Sequence, residues 1–162
     1  LFSGIAGGLD PRIKIGEVII GHSLIQFDYG KLKNKEIMPF RPGNMPDGKS
    51  KKDIEYRLDP EIKRKIKTSL PNVRMGKILT GDVFLQCEET QKELFKKFRA
   101  QAIDMEGAAV AQVAEQFGIP TIVIRCVSDL AGADSQNHSS KILNKSAKIA
   151  FDTAQKILNM LL

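Results

Sequence analysis

The chain has 162 residues, 42% hydrophobic and 27% charged. That balance excludes a disordered polymer and suits one globular domain with a real core, and no run of 18 apolar residues offers a membrane-spanning helix. The net charge of +6 is concentrated in residues 31–67, where twelve Lys or Arg face six Asp or Glu; without interleaved aromatics or a nucleic-acid motif, this reads as a solvated lysine-rich face rather than a nucleic-acid site. Cys87 and Cys126 are too few for a disulfide framework. With His22 and His138 they show no metal-ligand spacing, so no metal or cofactor is expected.

In chain order, Leu1-Phe2-Ser3 reads as the end of a strand with no initiator Met, so an N-terminal part is expected to be missing. Ser3-Gly4-Ile5-Ala6-Gly7-Gly8-Leu9-Asp10-Pro11 reads as a glycine-rich turn that lets backbone approach a ligand. It lacks the Gly-Lys-Ser/Thr ending of a phosphate-binding P-loop. Residues 13–27 read as strand material broken at Gly16 and Gly21, and residues 30–58 as a long irregular loop, a lid or interface element. Asp59-Pro60-Glu61 has the cap residue, proline and first-turn acid of a helix start, with Ile62, Ile66, Ser69 and Leu70 as its buried stripe. Met75 to Thr80 reads as a strand leading into Gly81-Asp82-Val83-Phe84-Leu85. A strand-end Phe84 suits stacking on a purine as well as it suits core packing. Glu88 to Phe98 reads as a helix with Leu94, Phe95 and Phe98 inward. A last helix, capped by Ser139 or Ser140, carries Ala147, Ala150, Phe151, Ala154, Ile157, Leu158 and Leu161 on its apolar face.

The stretch 102–132 holds the most chemistry. Val110, Val113, Ala114 and Phe117 fall on one helical face, and Gly118 and Pro120 stop the helix. Thr121 to Val127 is an apolar, β-branched strand of the kind covered on both faces. Arg125 interrupts it and needs an acidic or anionic partner. Glu106 opens the helix and Asp129 closes the strand, at the end where open α/β sheets bind ligands. Each acid also has a plain reading, Glu106 as a helix cap and Asp129 as a turn cap.

Asp104-Met105-Glu106-Gly107-Ala108-Ala109 followed by Val-Ile-Arg-Cys-Val-Ser-Asp at 123–129, with Thr80-Gly81-Asp82-Val83-Phe84 and the loop at 3–8, resembles the purine nucleoside phosphorylase superfamily. Within it the likeness is to the methylthioadenosine/S-adenosylhomocysteine nucleosidases and extends over nearly the whole chain. It implies an α/β fold, a three-layer αβα sandwich with a mixed central sheet, a single domain over 1–162 and a homodimer. It also implies hydrolysis of the N-glycosidic bond of a thioether adenine nucleoside. Asp129, held by Ser128, would protonate adenine at N7. Glu106 would face the ribose hydroxyls, with Asp104 among the substrate-binding residues, Met105 beneath the sugar and Arg125 near the acids. Ala6 and Gly7 would line the sugar, Phe84 would stack on the purine, and the Leu85 backbone would read the adenine edge. Phe27 stands where the family has His. The family's general base, a Glu near its N-terminus, has no match here, so the chain alone is expected to be inactive.

The protein is read as cytoplasmic, with an exported form left open. Two other classes remain: a phosphorolytic enzyme of the same superfamily, and a non-catalytic module binding polyanions through the basic loop. Against phosphorolysis, Phe2 and Ile5 occupy the positions where the phosphorylases carry an Arg and a hydroxyl residue for phosphate.

Overall fold

A computed structural model describes residues 1–44, 53–132 and 140–162. Its strands are β1 (Phe2–Gly8), β2 (Val18–Gln26), β3 (Gly30–Lys33), β4 (Glu36–Pro39), β5 (Tyr56–Arg57), β6 (Arg74–Thr80), β7 (Ala102–Asp104) and β8 (Val123–Asp129). The helices are α1 (Pro60–Ser69), α2 (Glu88–Phe98), α3 (Gly107–Gln116) and α4 (Ser140–Leu161). Six strands form one mixed sheet in the order β5-β2-β6-β7-β1-β8, and β2 also pairs with β8. Strand β2 manages two partners on one edge because its ladder with β6 slips between Gly21 and Ser23. Such a bulge adds a residue and bends the strand. Its first half, Val18–Ile20, lies against β8, and Ser23 and Leu24 lie against β5.

Side chains alternate across the sheet, and the core divides accordingly. Ile19, Ile78 and Val123 face α3, packing with Ala108 and Ala111. Their neighbours Ile20 and Ile124 face the other way, with Ile66 of α1 and Ile157 of α4. Helix α2 covers Leu79 and Ile103 through Leu94, Phe95 and Phe98. Met75, packed with the α1 and α4 cluster, shares a face of β6 with Leu79, so α2 lies on the same side as α1 and α4. The result is the expected αβα arrangement around a mixed sheet. Asp59 caps α1 through bonds from the Glu61 and Ile62 amides (2.9 and 3.0 Å), as its sequence predicts. Cys126 is a core residue whose thiol is pushed up by burial.

Several expectations need correction, among them Ser69, which is exposed rather than part of the buried stripe of α1. The glycine-rich segment is not a turn but a strand through Gly8; its small residues serve close packing, since a Cβ on Gly8 would lie 2.6 Å from the Ile13 side chain. Residues 13–17 are outside any strand, turning at Gly16 with φ +89°. The supposed irregular loop contains a β3–β4 hairpin, whose Asn34-Lys35 turn has positive φ at both residues, matching the type I′ geometry that suits strand twist. Lys49, Lys51 and Lys52 of that loop, His138, and Ser139 as one of the two expected caps of the last helix, lie outside the described residues.

The rotation of α3 also differs from expectation. Its buried residues are Gly107, Ala108 and Ala111, whereas Val113 and Phe117 are 54% and 75% exposed. Two hydrogen bonds fix the helix start on the strand ends: Gly107 N–H donates to Asp104 Oδ1 (3.1 Å) and Ala108 N–H to Thr80 Oγ1 (2.8 Å). A Cβ on Gly107 would lie 2.4 Å from Asp104 Oδ2, so only the small-residue face fits this close approach. The tether outweighs apolar area in setting which face turns inward. In α4, likewise, Ala150 and Ile157 are buried but Phe151 and Leu158 are exposed.

The rotation of α3 predicts opposite effects from two substitutions. Ala111→Leu should overpack the sheet-facing side and cost about 1–3 kcal/mol in urea denaturation. Val113→Ser, on the outer face, should change the folding stability of the isolated subunit by less than about 0.5 kcal/mol. The reverse ranking would mean that the helix is turned as its hydrophobic periodicity suggests.

Candidate active site

The site forms where strand directions meet. Gly7 of β1 pairs with Ile103 of β7 on one side, antiparallel, and with Asp129 of β8 on the other, parallel. The ends of β7 and β8 therefore converge on the Ala6-Gly7 segment. A cleft of about 230 Å³ opens there. Ala6, Gly7, Phe84, Leu85, Asp104, Met105, Glu106, Ser128 and Asp129 all line it. Of the ten predicted site residues only Arg125 does not; it lies beneath, 1% exposed.

Asp129 is 4% exposed and held on both oxygens. Ser128 Oγ donates to Oδ2 at 2.9 Å, and the Ala131 amide donates to Oδ1 at 2.9 Å. The second bond is the turn-capping interaction of a short acidic side chain, and it needs Ala131 at φ +52°. An alanine there is strained. Thus the turn-cap reading of Asp129 is correct as far as it goes, yet the carboxyl also lines the cleft. Gly7 makes the room: a Cβ there would lie 3.0 Å from both Asp129 Oδ1 and the Ala131 methyl.

Glu106 and Asp104 divide the two roles that sequence left open for one residue. Glu106 occupies the N-cap position of α3 but makes no side-chain capping bond, and its side chain is 62% exposed. The capping work falls to Asp104, whose side chain is 1% exposed. Asp104 Oδ1 accepts from Thr80 Oγ1 (2.6 Å) and the Gly107 amide, and Oδ2 accepts from Arg125 Nε (2.7 Å). Its side chain is thus fully engaged within the protein, although the residue borders the cleft. Arg125 is the partnered buried arginine that the sequence required. Its guanidinium sits 4.3 Å from the Phe2 ring centroid, and a Cβ on Gly4 would press on it at 3.0 Å. Among the described residues Nη2 has no hydrogen-bond partner, and it points its charge at Glu106 Oε2, 3.7 Å away.

The opposite wall is apolar and open. Phe84 is 61% exposed, which rules out core packing as its role, and Val83 and Met105 are 49% and 42% exposed. Exposed large apolar groups around a cleft mark a binding surface. Phe27 is not part of this wall; it packs with the α2 cluster and against Gly81, where a Cβ would meet its ring at 2.3 Å. Sequence reasoning missed Val83, Ile103 and Ala131 as lining residues. Val83 sits inside the quoted strand-end motif, so its place could have been found; the other two are placed by tertiary packing alone. Among the described residues no group of three or more His, Cys, Asp or Glu is arranged to hold a metal ion, and no helix is long and apolar enough to cross a membrane.

With this geometry in view, comparison with known proteins is informative. The sequence pattern of the phosphorylase superfamily matches residues 1–162. The 5'-methylthioadenosine/S-adenosylhomocysteine nucleosidase of Mycobacterium tuberculosis is 35% identical over 179 residues, covering 99% of this chain and 69% of the relative. The aminodeoxyfutalosine nucleosidase of Campylobacter jejuni is 32% identical over 162 residues, with coverage of 99% and 69%. The solved structure of a Helicobacter pylori 5'-methylthioadenosine/S-adenosyl homocysteine nucleosidase superposes with a TM-score of 0.84 at 27% identity, covering 98% of this chain and 66% of that one. A mutant of the Helicobacter pylori enzyme with 5'-methylthioadenosine in its active site superposes at 0.81, with 27% identity and coverage of 98% and 67%. The chain therefore spans about two thirds of the length of these proteins. Matched end to end by the superfamily pattern, and alike in sequence and fold to these enzymes, the chain belongs to the phosphorylase superfamily, in its nucleosidase family.

Proposed function

We propose that the protein hydrolyses the N-glycosidic bond of 5′-methylthioadenosine and S-adenosylhomocysteine, releasing adenine. The observation that carries this reading is the convergence of two carboxyl side chains, Asp129 and Glu106, on one cleft with an exposed Phe84 across from them. In the reaction the C1′–N9 bond breaks, its electron pair goes to the adenine, and a proton reaches N7. Water then adds to C1′ and its released proton passes to solvent, from which Asp129 is reprotonated. Asp129, oriented by Ser128 and the Ala131 amide, is the proton donor to N7. Glu106, exposed to the cleft, accepts from the ribose hydroxyls and stabilises the positive charge that develops on the sugar. Phe84 stacks on the purine and Leu85 offers its backbone to the adenine edge; Ala6, Gly7 and Met105 line the ribose. Similarity to an aminodeoxyfutalosine nucleosidase leaves the 5′ substituent as the variable part of the substrate.

Hydrolysis is favoured over phosphorolysis by the charge inventory near the sugar. Ile5 lines the cleft, Phe2 covers Arg125, and Arg125 itself is paired with Asp104. Among the described residues no cation lines the cleft for a phosphate dianion, and the Nη2 of Arg125 is buried beneath it and turned to Glu106. The reading includes a homodimer. Met105, Ala109, Val113 and Phe117 are exposed at four-residue intervals, and the exposed Ile119 extends the strip. A second copy seated on it would lie at the mouth of the cleft.

Three outcomes test the proposal in the full-length protein. Asp129→Asn should fold normally and lower adenine release by about 10²–10⁴-fold; near-normal release would remove Asp129 from the chemistry. Glu106→Gln should lose activity while keeping its thermal stability, whereas Asp104→Ala, which strands Arg125, should cost about 3–5 kcal/mol of stability. Equal destabilisation by both would return Glu106 to a capping role. Adenine release should be independent of phosphate and yield a free sugar; a sugar 1-phosphate formed at a phosphate-dependent rate would establish phosphorolysis instead.

A further inference from the structure

Thr80 lies outside the roles assigned so far, yet three parts of the site meet at its hydroxyl. It is the last residue of β6, fully buried, and stands opposite Asp104 in the parallel β6–β7 ladder. Its Oγ1 donates to Asp104 Oδ1 at 2.6 Å and accepts from the Ala108 amide at 2.8 Å. A hydroxyl is among the smallest side-chain groups that can do both at once. The β-branched side chain is also stiff about χ1, so the oxygen is held in one place. On the chain's next step, Gly81 N–H donates to the Asp104 carbonyl at 3.1 Å, and Asp82-Val83 leads into Phe84 and Leu85.

The consequences run in two directions. Toward the purine wall, Thr80 and Gly81 pin the end of β6 to β7. Toward the ribose wall, the Thr80 hydroxyl fixes one oxygen of Asp104, whose other oxygen holds Arg125 Nε, whose free Nη2 faces Glu106. The same hydroxyl clamps the first turn of α3 one residue beyond Gly107, so it also sets the backbone that carries Glu106. Glu106 has no side-chain capping bond, and Arg125 is the one cation recorded against it among the described residues.

We infer that Thr80 is a positioning residue of the active site: through Asp104 and Arg125, and through the start of α3, its hydroxyl sets the position of the Glu106 carboxylate relative to the purine wall. The inference rests on the nucleosidase reading for its kinetic consequence. A purely structural threonine would need only its shape and its packing. A positioning one needs the hydroxyl, because a displacement of about an ångström at a reacting group can cost on the order of 100-fold in rate.

Two variants separate these roles. Thr80→Val keeps the shape and removes the hydroxyl; Thr80→Ser keeps the hydroxyl and removes a methyl. With the full-length protein and an adenine nucleoside as substrate, well below the unfolding temperature, Thr80→Val should lower kcat by about 10- to 100-fold with KM changed by less than about 3-fold. Thr80→Ser should keep kcat within about 3-fold of wild type even where its thermal stability is the lower of the two. A Thr80→Val variant with wild-type kcat per folded molecule, or a Thr80→Ser variant as impaired as Thr80→Val, overturns the inference. A readout independent of turnover is the ¹³Cδ NMR resonance of Glu106, which should move in Thr80→Val and return in Thr80→Ser. If wild type releases no adenine, the nucleosidase reading fails and the resonance decides this inference alone; an unmoved resonance then refutes it.

Discussion

The arrangement depends on one buried ion pair. Arg125 and Asp104, each side chain 1% exposed, meet at 2.7 Å between β8 and β7. Taking two charges out of water costs several kcal/mol per ion and is recovered only with good geometry and further hydrogen bonds. The recovery is visible on the Asp104 side, where Thr80 and the Gly107 amide occupy the remaining oxygen. On the Arg125 side it is partial: among the described residues Nη2 lacks a hydrogen bond and is left with Glu106 at 3.7 Å and the Phe2 ring. An incompletely satisfied buried cation is a poor device for stability. It is a good device for holding a carboxylate at the edge of a cleft.

That pair sets constraints that spread through the chain. Gly4 must be small because the guanidinium lies over it, and Gly107 because Asp104 lies under it. Gly7 must be small for a reason of its own, because Asp129 at the end of β8 and Ala131 just beyond it close on it. Three glycines distributed over β1 and α3 thus have separate reasons, each a side chain of the same site. The tether at the start of α3 then dictates the helix rotation, which turns Val113 and Phe117 outward. An exposed apolar strip beside the cleft is a consequence of how Glu106 is held.

Much of this was legible in the sequence, and the reasons for success and failure are physical. A cap residue followed by proline located α1, and apolar spacing located α2, because these signals act within one turn. That Arg125 would need an acidic partner, and that Glu106 and Asp129 would meet at one site, followed from finding ionisable groups within or at the ends of apolar elements, where they must be partnered or functional; the partner itself proved to be Asp104. The division of labour between Asp104 and Glu106 was not legible: two acids two residues apart offer the same chemistry on paper, and only the strand end decides which turns inward. The rotation of α3 was misread because hydrophobic periodicity measures apolar area and is blind to a hydrogen-bonded anchor. The glycine-rich segment reads as a turn in sequence because glycine permits turns; in the fold it permits packing. The bulge in β2 left one local mark, Gly21, where the strand pattern breaks; what the bulge achieves was not legible, since the partners β5, β6 and β8 are distant in sequence.

The central claim is that the buried pair exists to orient Glu106. The most direct measurement is adenine release by the double variant Arg125→Met with Asp104→Asn in the full-length protein. This removes both charges, keeps an oxygen for Thr80 and Gly107, and fills the arginine's space with an apolar chain. A cooperatively folded protein whose turnover falls by at least about 100-fold is expected. A folded double variant releasing adenine at close to the wild-type rate would contradict the claim.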